Sequence, residues 1–260
     1  MSYFHQASRD SVSGRTKTLG VTPAVVVFCA IIASVMIACA PGANLSQQLI
    51  GHWKFDGDAL DSSGKGNHGV AKGDPEFVAG KIGSAVKFAG DGQYIEIGEL
   101  ASGVTQFTIA AWIHVDRMPA PENFASIYHN DGWKIGDVHL PFAGPEGILD
   151  LGIKGNEPDM SIPSFRVKDL QSRWVHLAVT YDADQGNSVR FFLGGQPRDI
   201  FDIETANPVD LGPGRIGAWD EEGRWFNGLI DEVYIYERAL QASEVEAVFD
   251  LAAETYSSPY

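Results

Sequence analysis

The segment RWVHLAVTYD, residues 173–182, decides the fold because its side chains alternate with a period of two. Such alternation is typical of a β-strand, in which successive side chains point to opposite faces. One face carries Val175, Leu177, Val179 and Tyr181, and the other carries Trp174, His176, Ala178 and Thr180. Both faces include apolar groups, so we expect this strand to be covered on both sides, as happens when sheets are stacked.

Similar short runs surround this segment and are separated by Gly, Asp, Asn and Pro. They are QYIEIG (93–98), QFTIAAWIHV (106–115), SVRFFLGG (188–195) and LIDEVYIY (229–236). Their lengths and spacing fit strands, and Gly194 with Gly195 supplies the positive backbone angles that a tight hairpin needs. Roughly ten or more such runs predict an all-β fold, a two-sheet antiparallel jelly-roll sandwich.

One short helix is expected at the C-terminal end of the domain. Ser243 and Glu246 have the spacing of a capping box. Val245, Val248 and Phe249 follow at the i, i+3 and i+4 positions of an amphipathic helix. We therefore predict an all-β sandwich with a short C-terminal helix.

The composition restricts the class of partner. The chain has 260 residues, 44% of them apolar, with 34 acidic against 19 basic side chains and a formal charge of −15. This is a globular composition. Because phosphate backbones would be repelled, we expect no nucleic-acid partner.

The N-terminal segment has the features of an export signal. Three cations and one acid in residues 1–20 precede the apolar run VTPAVVVFCAIIASVMIACA (21–40). The run includes Met-Ile-Ala-Cys, residues 36–39, which resembles the bacterial lipobox. The resemblance implies a lipoprotein-type signal peptide over 1–38, lipidation of Cys39 and a flexible tether over 39–48.

Two other interpretations of the leader stay open. Residues 21–38 could form an uncleaved membrane-spanning helix, or the leader could be an ordinary cleaved signal. All three place the rest of the chain outside the cytoplasm. With Ala40 after the cysteine, we expect a protein of the bacterial cell envelope that is held to the membrane by lipid, at the outer membrane, facing the periplasm or the exterior.

Three segments together resemble the laminin-G-like jelly-roll domains of the concanavalin A-like lectin and glucanase superfamily. They are the opening segment from LIGHWKFDGDALDSSGKGN to GQYIEI (49–97), the pair QFTIAAWIHV and RWVHLAVTYD, and WFNGLIDEVYIYERALQASEVEAVF (225–249). The resemblance implies one domain over 49–253, followed by a tail over 254–260. It is poor over 116–170, where strand boundaries stay open.

The same resemblance implies a structural calcium ion. In the superfamily such an ion commonly lies where the opening hairpin meets the final strand, which points to Asp231 first and then to Asp56 and Asn67. Calcium prefers several oxygen ligands of this kind. The alternative is turn chemistry, in which Asp61 and Asn67 bond to their own backbone and backbone amides hold Asp231.

Two loops mix aromatic, acidic and amide side chains as sugar-binding sites do. They are YHNDGWK (128–134) and AWDEEGRWFNG (218–228), and their candidate ligand-binding residues are Asp131, Trp133, Trp219, Glu221 and Trp225. Each tryptophan could equally be a core residue. The seven histidines are scattered singly, without a metal-binding pair on a helix.

Catalysis is not expected from these residues. The glucanase pattern Glu-x-Asp-x-x-Glu is absent from the predicted strands, and Asp231 and Glu232 are adjacent, so they point to opposite faces. We therefore expect a non-enzymatic, membrane-tethered, extracytoplasmic binding or adhesion module for a glycan, a glycoconjugate or a protein surface. A structural lipoprotein that contacts envelope proteins and a glucanase-type glycoside hydrolase are the alternatives.

Overall fold

A computed structural model describes residues 44–156, 162–219 and 224–256, with side chains through Leu251. The strands are β1 (Leu49–Trp53), β2 (Val70–Lys72), β3 (Glu76–Ala79), β4 (Ser84–Ala89), β5 (Tyr94–Ile97), β6 (Ala101–Val104), β7 (Gln106–Val115), β8 (Phe124–Asn130), β9 (Val138–Ala143), β10 (Ile148–Ile153), β11 (Ile162–Arg166), β12 (Trp174–Asp182), β13 (Ser188–Leu193), β14 (Gln196–Asp202), β15 (Val209–Leu211), β16 (Gly214–Ile216) and β17 (Asn227–Tyr236). The helices are a 3₁₀ turn over Lys168–Leu170 and α1 over Ala242–Tyr256. The signal peptide (1–38), Cys39, most of the tether and Glu221 lie outside the described residues.

The strands form two stacked antiparallel sheets. The first sheet has the order β14-β13-β12-β7-β17-β4-β3, with β1 also paired to β17, and the second has the order β11-β10-β9-β8-β16-β5-β2. Strands β6 and β15 form a separate pair. Neighbours in both sheets are distant in sequence, as in β7 beside β17 and β8 beside β16. The prediction of a two-sheet antiparallel jelly roll with a terminal helix is confirmed.

The hydrophobic core lies between the two sheets. Val175, Leu177, Val179 and Tyr181 of β12 are all buried in it, as their alternation predicts. Side chains of β8, β9 and β10 close the core from the second sheet. Because β9 buries Val138, Leu140 and Phe142 in this core, its intervening side chains point outward.

Helix α1 packs on the outer face of the first sheet. Ala110 of β7 lies opposite Ala178 of β12, and both pack in one apolar cluster with Val245 and Val248 of the helix. Two small side chains leave room for the helix to approach the sheet.

Helix α1 begins at Ala242, so Gln241 and not the predicted Ser243 precedes its first turn, and the predicted capping box is wrong. Glu244 Oε2 accepts from the backbone N–H of Gln241 at 2.8 Å and from Arg238 Nη1 at 2.8 Å. Glu244 therefore supplies one half of a capping box on Gln241, and Arg238 holds the glutamate over the first turn. The Glu246 side chain instead accepts from Gln196 Nε2 at 2.7 Å.

The segment 116–170, whose boundaries stayed open from sequence, supplies β8 to β11. These four strands form one edge of the second sheet. Within the described ranges, no helix is long and apolar enough to cross a membrane.

Candidate functional site

A cavity of about 230 Å³ opens on the outer face of the second sheet. We name it the sheet-face cavity. Its lining residues are Phe124, His129, Trp133, His139, Pro141, Asp150, Gly152, Trp219 and Arg224. Strands β8, β9 and β10 form its floor, and the β8–β9 loop and the segment after β16 form its walls.

The topology of the second sheet brings the two tryptophan loops together. Trp133 follows β8, and Trp219 follows β16, which pairs with β8 through Arg215 opposite His129. Gly214 is needed for this pairing, because a Cβ there would collide with the backbone oxygen of His129. The two loops predicted separately therefore form one site.

Aromatic rings form a continuous wall in the cavity. The rings of His129 and His139 have centroids 3.9 Å apart. Trp133 lies 4.3 Å from His139, and Trp219 lies 5.0 Å from the same ring. The guanidinium of Arg224 lies 3.7 Å from the centroid of the Trp219 ring, a cation–π arrangement.

Burial keeps both histidines neutral. It lowers the pKa of His139 to about 3 and holds the pKa of His129 well below its usual range, with the nearby His139 as a further cause. His139 Nε2 lies 3.0 Å from the carbonyl oxygen of Gly132, to which it donates. The cavity floor is therefore aromatic and uncharged at these two positions.

The Trp133 loop is held by buried polar contacts. Asp137 is buried and accepts from the backbone N–H of Lys134 at 2.7 Å through Oδ2. Burial also raises the pKa of this carboxyl. At the start of the loop, Asp131 Oδ1 lies 3.0 Å from Arg215 Nε. These contacts fix the loop against β16, so Trp133 is presented by a structured turn.

The structure places the predicted ligand-binding residues in different regions. Trp133 and Trp219 line the sheet-face cavity, while Asp131 contacts Arg215 beside it. Trp225 lines a separate, more polar cavity of about 450 Å³ with Arg117 and Asn123. Glu221 lies outside the described residues.

The two candidate loops predicted from sequence include His129 and Arg224, but sequence reasoning missed His139 and Asp150 of the cavity. The histidines looked isolated because ten residues separate them along the chain. The pairing of β8 with β9 places them directly opposite each other. The available signal was the alternation in VHLPF (138–142), where His139 falls on the face opposite to the apolar residues.

The predicted calcium ligands fall into two groups. Asp231 Oδ2 accepts from the backbone N–H groups of Lys81 and Ile82 at 2.9 Å each. Asp56 Oδ1 accepts from Ser84 N at 2.8 Å, on the same turn between β3 and β4. Asn67 Nδ2 donates instead to Ile50 O at 2.6 Å, and its backbone N–H donates to Asp61 Oδ2 at 2.9 Å.

The Asp231 carboxyl is suited to binding a cation because it is fully buried and one of its oxygens, Oδ1, lacks a hydrogen-bond partner among the described residues. Burial raises its pKa to about 7, and the neighbouring Glu232 carboxylate adds to this rise. Among the described residues, no group of three or more His, Cys, Asp or Glu side chains could hold a metal ion, so a calcium ion here would need backbone carbonyl ligands as well.

The fold and the aromatic cavity define a class of protein: β-sandwiches of the lectin type, with an open sheet face that carries aromatic side chains. The sequence model of the concanavalin A-like lectin/glucanases superfamily matches residues 89–246. The chain belongs to this superfamily, and the resemblance found in the sequence is confirmed. A search of curated protein sequences returned no match.

Solved structures share the fold at low identity. Domain 4 of AbnA, a GH43 extracellular arabinanase from Geobacillus stearothermophilus solved in complex with arabinotriose, has a TM-score of 0.59 and 22% identity over 77% of this chain and 98% of its own. A structure of botulinum neurotoxin type C, whose cell entry depends on interaction with two ganglioside molecules, has a TM-score of 0.63 and 14% identity, and covers 80% of this chain.

The binding domain of botulinum neurotoxin DC in complex with rat synaptotagmin II has a TM-score of 0.62 and 13% identity over 80% of this chain. This chain spans 52% of the length of each of the two toxin chains.

Proposed function

We propose that this chain is a non-catalytic glycan-binding module whose site is the sheet-face cavity. The observation that carries the proposal is the wall formed by Trp133, His139 and Trp219 on an outer sheet face. The apolar face of a sugar ring stacks on such aromatic groups, and a few polar groups then bond its hydroxyls.

The polar groups of the cavity suit sugar hydroxyls. Asp150 and Arg224 lie among the aromatic rings. A carboxylate accepts and a guanidinium donates hydrogen bonds, and a hydroxyl is able to do both. The arabinotriose complex of the related arabinanase domain and the ganglioside dependence of the related toxin support a sugar as ligand.

The carboxylates of the cavity support binding without hydrolysis. Asp150 is the one acidic side chain among its described lining residues. Glycosidases of both stereochemical types need two carboxyl groups, about 5–5.5 Å or about 6.5–9.5 Å apart. One carboxylate among the described lining residues supports a binding module over a glucanase.

The place of action rests on the leader. We propose that lipid on Cys39 holds the domain at the bacterial envelope, on the outer membrane. The cationic and apolar order of residues 1–40 supports export. The ligand would then be a glycan or glycoconjugate met outside the cytoplasm.

A glycan array with the full-length protein tests the proposed function. We expect binding to at least one glycan, weakened about tenfold or more by Trp133→Ala and by Trp219→Ala, because central aromatic contacts dominate binding energy. Trp225→Ala is the matched control, since Trp225 lines a different cavity. This variant is expected to bind like the wild type.

Two results would contradict the proposal. One is an array without any signal, in which case crosslinking to envelope proteins would test the structural alternative. The related toxin domain in complex with synaptotagmin II supports a protein surface as that alternative ligand. The other is an equal loss of binding in all three tryptophan variants, which would assign the binding to another surface.

A further inference from the structure

A second cleft lies on the outer face of the first sheet, beside Phe249 of α1. Its volume is about 350 Å³, and its lining residues are Lys81, Trp112, Leu170, Arg173, Trp174, Val175, His176, Leu193, Gly194 and Phe249. We name it the helix-end cleft. The core between the sheets separates it from the sheet-face cavity.

The cross-strand pairs of β7 and β12 explain why the cleft forms there. Ala110 lies opposite Ala178, Trp112 opposite His176, and His114 opposite Trp174. Helix α1 covers the alanine pair. Beyond the alanine pair, the facing side chains are large rings: Trp112, His114, Trp174 and His176. Phe249 of the helix stacks on Trp112 with ring centroids 5.3 Å apart.

His176 is an unusual residue at the base of this cleft. It is 1% exposed, and within the described part of the chain neither of its ring nitrogens has a hydrogen-bond partner. Burial lowers its pKa to about 3, so the ring is neutral and offers one donor and one acceptor. A buried polar group without a partner has a free-energy cost that a bound hydroxyl or carboxyl would remove.

The charge of the helix-end cleft is opposite to that of the whole chain. Acidic residues outnumber basic ones by 34 to 19 over the sequence, yet Lys81 and Arg173 line the cleft and no acidic side chain does among its described residues. Lys81 Nζ lies 4.6 Å from the ring centroid of Trp112. Arg173 is exposed and donates through Nη2 to the carbonyl oxygen of Asp169 at 2.7 Å, and its guanidinium has further donors.

These features favour one class of ligand. Half-buried Trp174 offers an aromatic surface for the apolar face of a sugar ring, and the exposed guanidinium of Arg173 offers donors to a carboxylate. We propose that the helix-end cleft is a second ligand site and binds a hexuronate residue of an acidic glycan. Its carboxylate pairs with Arg173, and its ring stacks on Trp174.

Titration calorimetry of the full-length protein with the trisaccharide of galacturonic acid tests this site. The matched ligand is the methyl-esterified trisaccharide, which keeps the sugar rings and removes the charge. We expect the ester to bind about tenfold more weakly, because it lacks the charge-assisted hydrogen bonds. Binding of the acid is expected to weaken with added salt.

Variants assign the binding to the cleft. Arg173→Gln is expected to weaken binding of the acid by about threefold, since an exposed charge pair contributes modestly. Trp174→Ala is expected to weaken it by about tenfold through loss of stacking. Trp225→Ala lies in neither site, so it is the control and is expected to bind like the wild type. Trp133→Ala shows whether the sheet-face cavity takes the same ligand.

Three results would overturn the second site: no heat of binding at millimolar trisaccharide, equal affinity for the acid and the ester, or a loss of affinity in Trp133→Ala that Trp174→Ala does not share. Arg173 is exposed, so Arg173→Gln is expected to fold. This variant therefore still tests the site if Trp174→Ala does not fold. The failure of this proposal is distinguishable from failure of the proposed function, because Trp174→Ala and Trp133→Ala report on different sheets.

Discussion

Buried neutral histidines are the residues through which pH acts most directly on this molecule. Burial lowers the pKa of His139 and of His176 to about 3, and that of His129 also falls well below its usual range. In the unfolded chain a histidine takes up a proton near pH 6.5. Below that pH the unfolded state therefore binds more protons than the folded state, and the folded state loses stability.

His176 gives a test of this effect away from the sheet-face cavity. In His176→Phe the ring stays aromatic and the titrating group is removed. The contribution of His176 is complete above pH 6.5 and is lost as the pH falls towards its folded pKa of about 3. Between about pH 7 and about pH 5 we expect the free energy of unfolding of the wild type to fall by about 1–2 kcal/mol more than that of the variant.

Urea unfolding at the two pH values measures this difference. We compare how the free energy of unfolding of each protein changes between the two pH values. A packing change introduced by phenylalanine is the same at both pH values, so it cancels in this comparison. Parallel slopes for the two proteins would show that His176 is not held neutral in the folded state.

At the scale of elements, local patterns and long-range pairings contributed differently to what the sequence could predict. The alternation in residues 173–182 placed Val175 and its partners correctly in the core, because the two faces of a strand are set by neighbours along the chain. Gly194 and Gly195 likewise have positive φ angles of 59° and 77° between β13 and β14, as predicted. Both patterns are local.

The candidate site could not be assembled from sequence in the same way. Trp133 and Trp219 meet because β16 lies between β8 and β5 in the second sheet. That order depends on contacts between segments far apart in the chain, which no local period reveals. The separate position of Trp225 has the same origin, since it lies beyond Trp219 on the approach to β17 and faces another cavity.

The turn between β3 and β4 is the element that joins the two predicted calcium carboxylates. Its amides bond Asp56 on one side and Asp231 on the other. We expect excess chelator to lower the melting temperature by several degrees, because an ion bound only to the folded state stabilises it by mass action. Calorimetry with and without added calcium measures the shift.

Asp231→Asn is the companion variant for the calcium experiment. It keeps an oxygen that accepts from the turn amides but removes the charge that a cation needs. We expect its melting temperature to be insensitive to chelator. A wild-type protein that melts at the same temperature in chelator and in calcium would instead support the turn-chemistry interpretation, in which backbone amides alone hold these residues.

At the scale of the whole molecule, the two sheets separate two chemically different surfaces. The sheet-face cavity carries neutral histidines among tryptophans, while the helix-end cleft carries two cations in an acidic chain. Because they lie on opposite outer faces of one sandwich, occupation of one need not exclude occupation of the other. On a glycan that contains neutral and acidic sugars, one copy of the domain would bind a neutral part while a second copy binds an acidic part. Such bivalent attachment strengthens the overall binding without any new contact.

Such avidity requires many copies on one surface, and the lipid anchor proposed for Cys39 would provide it. We expect radiolabelled palmitate to be incorporated into the wild type and into Cys29→Ser, the matched control within the leader. Cys39→Ser is expected to lose the label, because a lipobox cysteine is the acceptor of the lipid.

Each buried methylene of an acyl chain contributes about 0.8 kcal/mol to membrane binding, so loss of the chains removes most of the anchoring. An unlabelled wild type that stays in the membrane fraction at its full precursor mass would favour the uncleaved helix over residues 21–38 instead.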